Sequence, residues 1–148
     1  MWDLAKHEKV AEFGPSSFDV DMEGVAFSPD GRWFVGGDVG AYRFWEVGTW
    51  RLDHLVHRGR THHPALIAFT RDGKTMAGIM GVEDAVQLID PATGKELATL
   101  EDPQMHEVGS LAIAGDGTSV AIGNIDHSTT VWDLDLICKR LTDMGLDW

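Results

Sequence analysis

The chain has 148 residues, with 24 acidic residues against 12 Lys and Arg, and therefore a formal net charge of −12 at pH 7. Hydrophobic residues make up 43% of it, which is typical of a globular domain and excludes a disordered acidic tail or a fibre. Binding to a phosphate backbone needs clustered positive charge, so we expect no nucleic-acid partner. Apolar runs are too short to span a bilayer, and the single cysteine, Cys138, cannot form an intrachain disulfide. We therefore expect no membrane partner and a cytoplasmic location.

The first predicted element lies in residues 1–13, which open with the dipeptide Trp2-Asp3. Similar dipeptides end predicted strands later in the chain. Val10 and Phe13 lie 8 and 11 residues after Trp2, and the same offsets recur in the strand that follows one of those later positions. We therefore predict that residues 6–13 form the fourth strand of a four-stranded unit and complete the third unit of a neighbouring chain.

An Asp-Gly pair between two short β-rich runs recurs three times, at spacings of 42 and 44 residues. The three pairs are Asp30-Gly31, Asp72-Gly73 and Asp116-Gly117. Each pair is a hairpin signal, because glycine accepts the positive φ that a tight turn requires. A second motif, Trp or Ile followed by an acidic residue, recurs in step with the first at Trp2, Trp45, Ile89 and Trp132. Two motifs that share one period indicate an internal repeat.

Each period predicts short β-strands rather than helices. Residues 20–56 and 64–100 each contain four β-rich runs separated by turn residues, and residues 106–133 contain three. Four antiparallel strands in each period predict an all-β fold of β-propeller blades, three to a chain. Apolar residues at helical spacing then follow at Leu134, Ile137, Leu141 and Met144. Residues 134–148 are therefore predicted to form a short tail helix.

This pattern resembles the WD-repeat β-propeller family over nearly the whole chain. The resemblance is carried by Phe27-Ser-Pro-Asp-Gly31, Trp45-Glu46, Trp132-Asp133 and Trp2-Asp3. The last residues resemble the tail that closes some large bacterial proteins of this kind, so the chain is interpreted as a C-terminal part or a short version of such a propeller. Members of the family are mostly interaction scaffolds, so the resemblance implies neither catalytic residues nor a cofactor.

The family also links four side chains of a blade by hydrogen bonds: a His, a Ser or Thr, an Asp and the motif Trp. In the third repeat the matching positions are His106, Asp126 and Trp132, whereas Ile122 stands at the hydroxyl position. In the second repeat Ile89 replaces the Trp. The resemblance therefore implies structural roles for His106 and Asp126, although such a pair also suits a general base and its orienting group.

Three blades are fewer than the roughly 4–8 that close a propeller. The predicted strands leave one unpaired fourth strand in residues 6–13 and a third blade without a fourth strand. We therefore predict that homo-oligomerisation closes the ring, as a dimer of six blades or a trimer of nine. We expect core positions between adjacent blades for Phe27, Phe69 and Ile113, and rim positions, suited to anchoring a partner, for Trp33 and Trp50.

The connection between the first two predicted blades is rich in histidine. His57, His62 and His63 could ligate zinc through neutral imidazole nitrogens, although their spacing matches no established metal motif. The other interpretation is an exposed loop with solvated imidazoles. The predicted function is a non-catalytic interaction or assembly scaffold that associates with itself and possesses a protein- or peptide-binding face. The alternative is a metal- or small-ligand-binding or hydrolytic propeller that uses loop or channel histidines.

Overall fold

The computed structural model describes residues 1–10, 12, 22–59, 64–81, 85–104 and 106–145. Within these residues, thirteen β-strands form four antiparallel sheets, and one α-helix follows the last strand. The strands are β1 (Trp2–Asp3), β2 (Glu8–Lys9), β3 (Gly24–Phe27), β4 (Trp33–Gly37), β5 (Ala41–Glu46), β6 (Leu52–His57), β7 (Ile67–Phe69), β8 (Met76–Met80), β9 (Ala85–Ile89), β10 (Glu96–Leu100), β11 (Val108–Ile113), β12 (Ser119–Asn124) and β13 (Thr129–Asp133). The helix is α1 (Leu134–Asp143). The prediction of a mainly β fold with a C-terminal helix is confirmed.

The first sheet is a two-stranded hairpin of β1 and β2, in which Trp2 lies opposite Lys9. The same offset of seven residues joins the third and fourth strands of each four-stranded sheet, for example at Trp45. The hairpin therefore has the register of the end of a third strand and the start of a fourth. Of the strand predicted over residues 6–13, the structure describes β2, while Phe13 lies outside the described residues.

The other three sheets are successive blades, each with its strands in chain order. Blade one contains β3 to β6, blade two contains β7 to β10, and blade three contains β11 to β13. In blade three, α1 follows β13 directly, at the point where the other two blades turn into a fourth strand. Local sequence explains this change, because the Asp133 carboxylate caps the helix by accepting a hydrogen bond from the Leu136 backbone N–H at 2.8 Å.

The helix is shorter than the tail helix predicted for residues 134–148. It ends at Asp143, Met144 is 66% exposed beyond it, and residues 146–148 lie outside the described residues. Leu134 is buried and Ile137 packs beside it on the same apolar cluster. The first half of the helical stripe therefore holds α1 against the blades, whereas Met144 does not extend it.

The three Asp-Gly turns join the first and second strands of their blades with the same backbone geometry. Their glycines are left-handed, with φ values of 73°, 71° and 78° at Gly31, Gly73 and Gly117. Each preceding aspartate accepts a hydrogen bond from the backbone N–H two residues later, at 3.0 to 3.1 Å, and these aspartates are Asp30, Asp72 and Asp116. Such Asx turns hold the chain reversal in place.

Two apolar clusters join the blades. Between blades one and two the cluster contains Trp33, Val35, Tyr42, Phe44, Ala65, Met76, Met80 and Ile89. Between blade two, blade three and α1 it contains Ala77, Ile79, Val86, Leu88, Leu100, Val108, Val120, Ile122 and Leu134. Trp33 is only 3% exposed, so the prediction that it lies at the rim is wrong. The reason is strand alternation, because Trp33 and Val35 point to the face of β4 that packs on blade two.

Candidate interaction surface

The motif Trp or Ile of each blade points toward the preceding blade. Trp132 lies opposite Val120 and packs on the cluster between blades two and three. Ile89 belongs to the cluster between blades one and two. Trp45 lies opposite Phe34, on the face of blade one that points away from blade two. The repeat therefore directs Trp45 toward the place where a blade before blade one would lie.

The outer face of blade one is defined here by Val25, Phe27, Phe34 and Trp45. The ring centres of Phe27 and Phe34 are 5.1 Å apart, and those of Phe34 and Trp45 are 5.6 Å apart. Phe34 and Trp45 are buried, whereas Val25 is 61% exposed and Phe27 is 51% exposed. The aromatic row is therefore open to solvent at its end on β3.

The exposure of Phe27 departs from the predicted position between two blades. The matching residues of the next repeats meet that prediction more closely, because Phe69 packs on the cluster between blades one and two. Ile113 likewise packs on the cluster between blades two and three. Phe27 differs because the described residues place no complete blade against the face of β3 on which it lies.

The outer face of blade three is defined here by Ser110, Ala112, Ala121 and Val131. Ala112 lies opposite Ala121, which in turn lies opposite Val131, so the three residues share one face of the sheet. Ala112 is exposed and Val131 is 61% exposed. The residues of this face are mainly small, in contrast to the aromatic outer face of blade one.

A buried arginine, Arg58, joins blade one to blade two. Its side chain is fully buried and donates three hydrogen bonds to backbone carbonyls, to Ile79 at 3.1 Å, Asp38 at 2.6 Å and Pro64 at 3.1 Å. Glu23 supplies a carboxylate oxygen 3.8 Å from the guanidinium. A buried charge is tolerated only when its donors are paired, and these contacts supply the pairing.

Tyr42 continues this junction. The Arg58 guanidinium carbon lies 5.0 Å from its ring centre, and its hydroxyl donates to the Leu66 carbonyl at 2.8 Å. The same oxygen accepts a hydrogen bond from the Ile79 backbone N–H at 2.9 Å. Burial raises the pKa of Tyr42 to about 12, and the nearby charge of Arg58 offsets part of that increase. Tyr42 therefore remains a neutral structural hydrogen-bonding group.

The pair His106 and Asp126 is close in space, but His106 has a nearer partner. Its Nδ1 lies 2.7 Å from Asp102 Oδ2, whereas its Nε2 lies 3.6 Å from Asp126 Oδ2. The Asp126 carboxylate instead accepts hydrogen bonds from the hydroxyl and the backbone N–H of Ser128, at 2.6 and 2.9 Å. These bonds, led by the hydroxyl, lower the pKa of Asp126. Asp126 therefore serves mainly its own turn.

The other candidate histidines are not brought together by the described structure. His57 is exposed at the end of β6, and His62 and His63 lie outside the described residues. His54 stacks on Phe44 with ring centres 4.4 Å apart, which makes it part of the core edge. Within the described ranges no group of three or more His, Cys, Asp or Glu side chains could hold a metal ion. In the same part of the chain, no helix is long and apolar enough to cross a membrane.

A groove of about 700 Å³ lies between blade two, blade three and α1. Leu88 and Leu134 line it with apolar surface, and Asp72 and Asp116 line it with carboxylates. Backbone N–H groups and neighbouring hydroxyls donate to these two carboxylates and lower the pKa of each. The groove also contains Cys138, which is a free thiol. Its carboxylates are thus committed to the repeat turns.

Comparison with known proteins supports the fold. No family model matches the chain, and no curated protein matches it. Among solved structures, a crystal structure of RRP9 WD40 repeats matches with a TM-score of 0.68 and 17% sequence identity, over 80% of this chain and 37% of that one. The blades have a WD40-like fold. The present chain spans little more than a third of the length of that structure.

Sequence reasoning missed the junction residues and the nearer partner of His106. Arg58 follows a strand in a polar, His-rich stretch, and nothing local distinguishes it from an exposed arginine. Its burial arises from the carbonyls of three separate segments, which only the packed blades bring together. Asp102 is four residues before His106, and that spacing is the one local signal that could have identified it.

Proposed function

We propose that this chain is a non-catalytic interaction scaffold that associates with itself into a closed propeller. The observation that carries the proposal is the combination of the β1–β2 hairpin and the three-stranded blade three. β2 has the register of a fourth strand, and among the described strands β13 lies at the edge of its sheet and is followed by a helix. An edge strand exposes unpaired backbone groups to which another strand can add.

The closure requires one exchange of partners. In the single chain, β2 pairs with Trp2–Asp3, whereas in the ring it would pair with the matching Trp132-Asp133 of a neighbouring copy. The hairpin consists of two residues in each strand, and isolated two-stranded hairpins are only marginally stable. The exchange therefore costs little free energy, because β2 gives up a short pairing with β1 and joins a larger sheet.

The WD40-like fold and the surroundings of the candidate residues favour a scaffold over an enzyme. The aspartates of the repeat accept hydrogen bonds within their own turns, and His106 is paired with Asp102. These groups support the blades rather than face a shared reaction site. Apolar side chains such as Val25, Phe27 and Val131 are instead exposed, as expected of a protein-binding surface.

The test is the solution mass of the intact chain by light scattering over a range of concentrations. A closed ring has about twice or three times the chain mass of 16.3 kDa. Deletion of residues 1–10 removes β1 and β2 and should shift the mass to that of one chain. Leu4→Ser is the matched control, because Leu4 is 84% exposed in the hairpin turn and should leave the mass unchanged. A well-folded monomer of the intact chain at all concentrations would contradict the proposal.

A further inference from the structure

A β-bulge in blade two places a leucine in the groove between blade two, blade three and α1. The pairing of β10 with β9 shifts its register at Leu97, which is the extra residue of the bulge. Leu97 is 41% exposed and lines the groove. Bulges often re-aim a side chain beside a functional site. The matching bulge residue of blade one is Asp53, so an apolar residue at this place is not a general feature of the repeat.

The apolar lining of the groove continues from Leu97 to Ile113 and Leu134. Leu134 belongs to the cluster between blades two and three, and Ile113 packs against the same cluster. The backbone N–H of Arg71 donates to the Gly115 carbonyl at 3.0 Å, which joins the Asp-Gly turns of the two blades. The walls of the groove are therefore held in place before any ligand binds, which lowers the entropic cost of binding.

Negative charge also predominates among the residues that line the groove. Asp72, Asp116 and Asp135 are exposed carboxylates, against one lining cation, Arg71. The hydrogen bonds that the first two accept within their turns end on Oδ1, and they lower the pKa of both groups, which therefore carry charge at neutral pH. Lys74 lies 4.0 Å from Asp72, but its side chain is 83% exposed and does not line the groove.

These carboxylates suit cationic side chains rather than a metal ion. In the part of the chain that the structure describes, no group of three or more His, Cys, Asp or Glu side chains could hold a metal. Lys and Arg can reach separate carboxylates while their aliphatic stems cover apolar surface. Pockets for small ligands measure roughly 300–1,000 Å³. At about 700 Å³ the groove therefore suits a short chain segment rather than a folded domain.

We infer that this groove binds a short basic peptide segment of another protein, with an aliphatic side chain against Leu97 and Lys or Arg side chains beside Asp116 and Asp135. Charge complementarity selects this partner, because the same carboxylates repel an acidic peptide or a phosphate backbone. The inference rests on the interaction-scaffold part of the proposed function and names the class of partner. It does not depend on closure of the ring.

The test uses a fluorescein-labelled synthetic peptide of sequence KLRKLR, whose binding to the intact chain is followed by fluorescence anisotropy. We expect saturable binding with a Kd below about 100 μM at low salt. Added salt should weaken it, since the charges lie at the surface. The peptide KSRKSR has the same charge but no aliphatic side chain for Leu97, and it should bind at least about tenfold more weakly.

Two variants of the groove have matched controls elsewhere on the chain. Leu97→Ser removes the aliphatic contact and Asp135→Lys reverses one charge, and each should raise the Kd of KLRKLR at least about fivefold. Leu136→Ser changes a 43% exposed leucine outside the groove, and Asp143→Lys makes the same change in net charge at the other end of α1. Both controls should stay within about twofold of the parent Kd. Circular dichroism verifies that each variant is folded.

Cys138 reports where the peptide binds, because it lines the groove and is the only cysteine in the sequence. Saturating KLRKLR should slow its alkylation by a maleimide at least about fivefold. Absence of saturable binding up to about 1 mM, an unchanged alkylation rate, or equal weakening by groove and control variants would overturn the inference. None of these outcomes bears on ring closure, which the solution mass tests. A monomeric chain that binds the peptide at Cys138 would contradict closure and support this inference.

Discussion

Gly31 and Gly73 have the same left-handed backbone but different surroundings. A Cβ atom built on Gly31 would have no neighbour within 4 Å, whereas one on Gly73 would lie 2.8 Å from Asp30 Cγ. We expect Gly31→Ala to lower the free energy of unfolding by about 1 kcal/mol through backbone strain alone. Gly73→Ala should lower it further, because Asp30 must also move. Urea denaturation measures both.

Gly40→Ala is the control for this pair, since its Cβ would make only an ordinary contact, 3.5 Å from Asp38 Oδ1, and its φ is not left-handed. It should leave the denaturation midpoint nearly unchanged. A Gly31→Ala midpoint equal to that of the parent chain would show that the turn does not require a glycine.

The Asp72 carboxylate makes the stability of its turn depend on pH. The Lys74 backbone N–H, and after it the Thr70 hydroxyl, donate to this group and lower its pKa in the folded state. Its contribution is therefore fully present above the unfolded pKa and is lost as the pH falls through the lower folded value. We expect Asp72→Asn to reduce the melting temperature at pH 7 and to reduce it less at pH 3. An equal difference at both pH values would contradict this account.

At the residue scale, local chemistry decided which features the sequence could predict. The positive φ of Gly31 and its equivalents follows from the Asp-Gly pair itself. The burial of Arg58 and the exposure of Phe27 depend on which blade packs on which face of its neighbour. The residues next to them in sequence do not indicate this packing. The identity of Asp102 as the nearer partner of His106 depends on the path of the connection between blades two and three.

At the scale of elements, the hydrogen bonds of the Arg58 side chain hold the end of β6 against blade two. Arg58→Met would remove three hydrogen bonds from a charged donor to the carbonyls of Asp38, Ile79 and Pro64, and each such bond contributes about 1.5–3 kcal/mol. We expect a loss of at least about 3 kcal/mol in the free energy of unfolding, measured by urea denaturation. Arg51→Met is the control at an exposed arginine and should change stability by no more than about 0.5 kcal/mol. Similar midpoints for the two variants would refute the role of Arg58.

Helix α1 is held to the blades by one side of its first turn. Leu134 is 6% exposed in the cluster between blades two and three, whereas Leu136 is 43% exposed. Leu134→Ala should therefore cost about 2–4 kcal/mol, and Leu136→Ala less than about 0.5 kcal/mol. Thermal unfolding of the two variants checks this difference. Equal melting temperatures would indicate that the helix is not part of the cooperative core.

The sequence predicted elements best where a periodic pattern met a local boundary signal. The start of α1 at Leu134 follows from its apolar spacing and from Asp133, which caps it. The end at Asp143 was not predicted, because the apolar spacing continues to Met144. In the structure Met144 is 66% exposed, unlike the buried Leu134 at the start of the stripe. The prediction for Trp33 was wrong for a related reason. The local sequence around a tryptophan near a turn does not show whether another blade packs on its side of the strand.

At the scale of the whole molecule, the proposed self-association would link stability to protein concentration. Because the assembly binds only folded chains, mass action raises the melting temperature as concentration increases. We expect a rise of roughly 1–3 °C for each tenfold increase in concentration of the intact chain. Scanning calorimetry at three concentrations measures it, with deletion of residues 1–10 expected to flatten the dependence. A melting temperature independent of concentration would argue for a monomer.

The repeat period was enough to predict the blades, because two motifs recur in step and each predicts a hairpin or a strand end. Closure of the ring could not be predicted in the same residue-by-residue detail. The proposed closure depends on contacts between copies, and a repeat pattern within one chain does not specify which of its surfaces would meet.

The edge position of β13 also has a consequence for the rates of amide hydrogen exchange. Because β13 pairs only with β12 among the described strands, alternate residues between Thr129 and Asp133 direct their backbone N–H groups away from the sheet. In deuterated water an open edge would show fast and slow amide exchange at alternating residues. An edge covered by the strand of a neighbouring copy would show slow exchange at every residue. Amide exchange along this one strand therefore separates strand addition from a contact that involves only the blade faces.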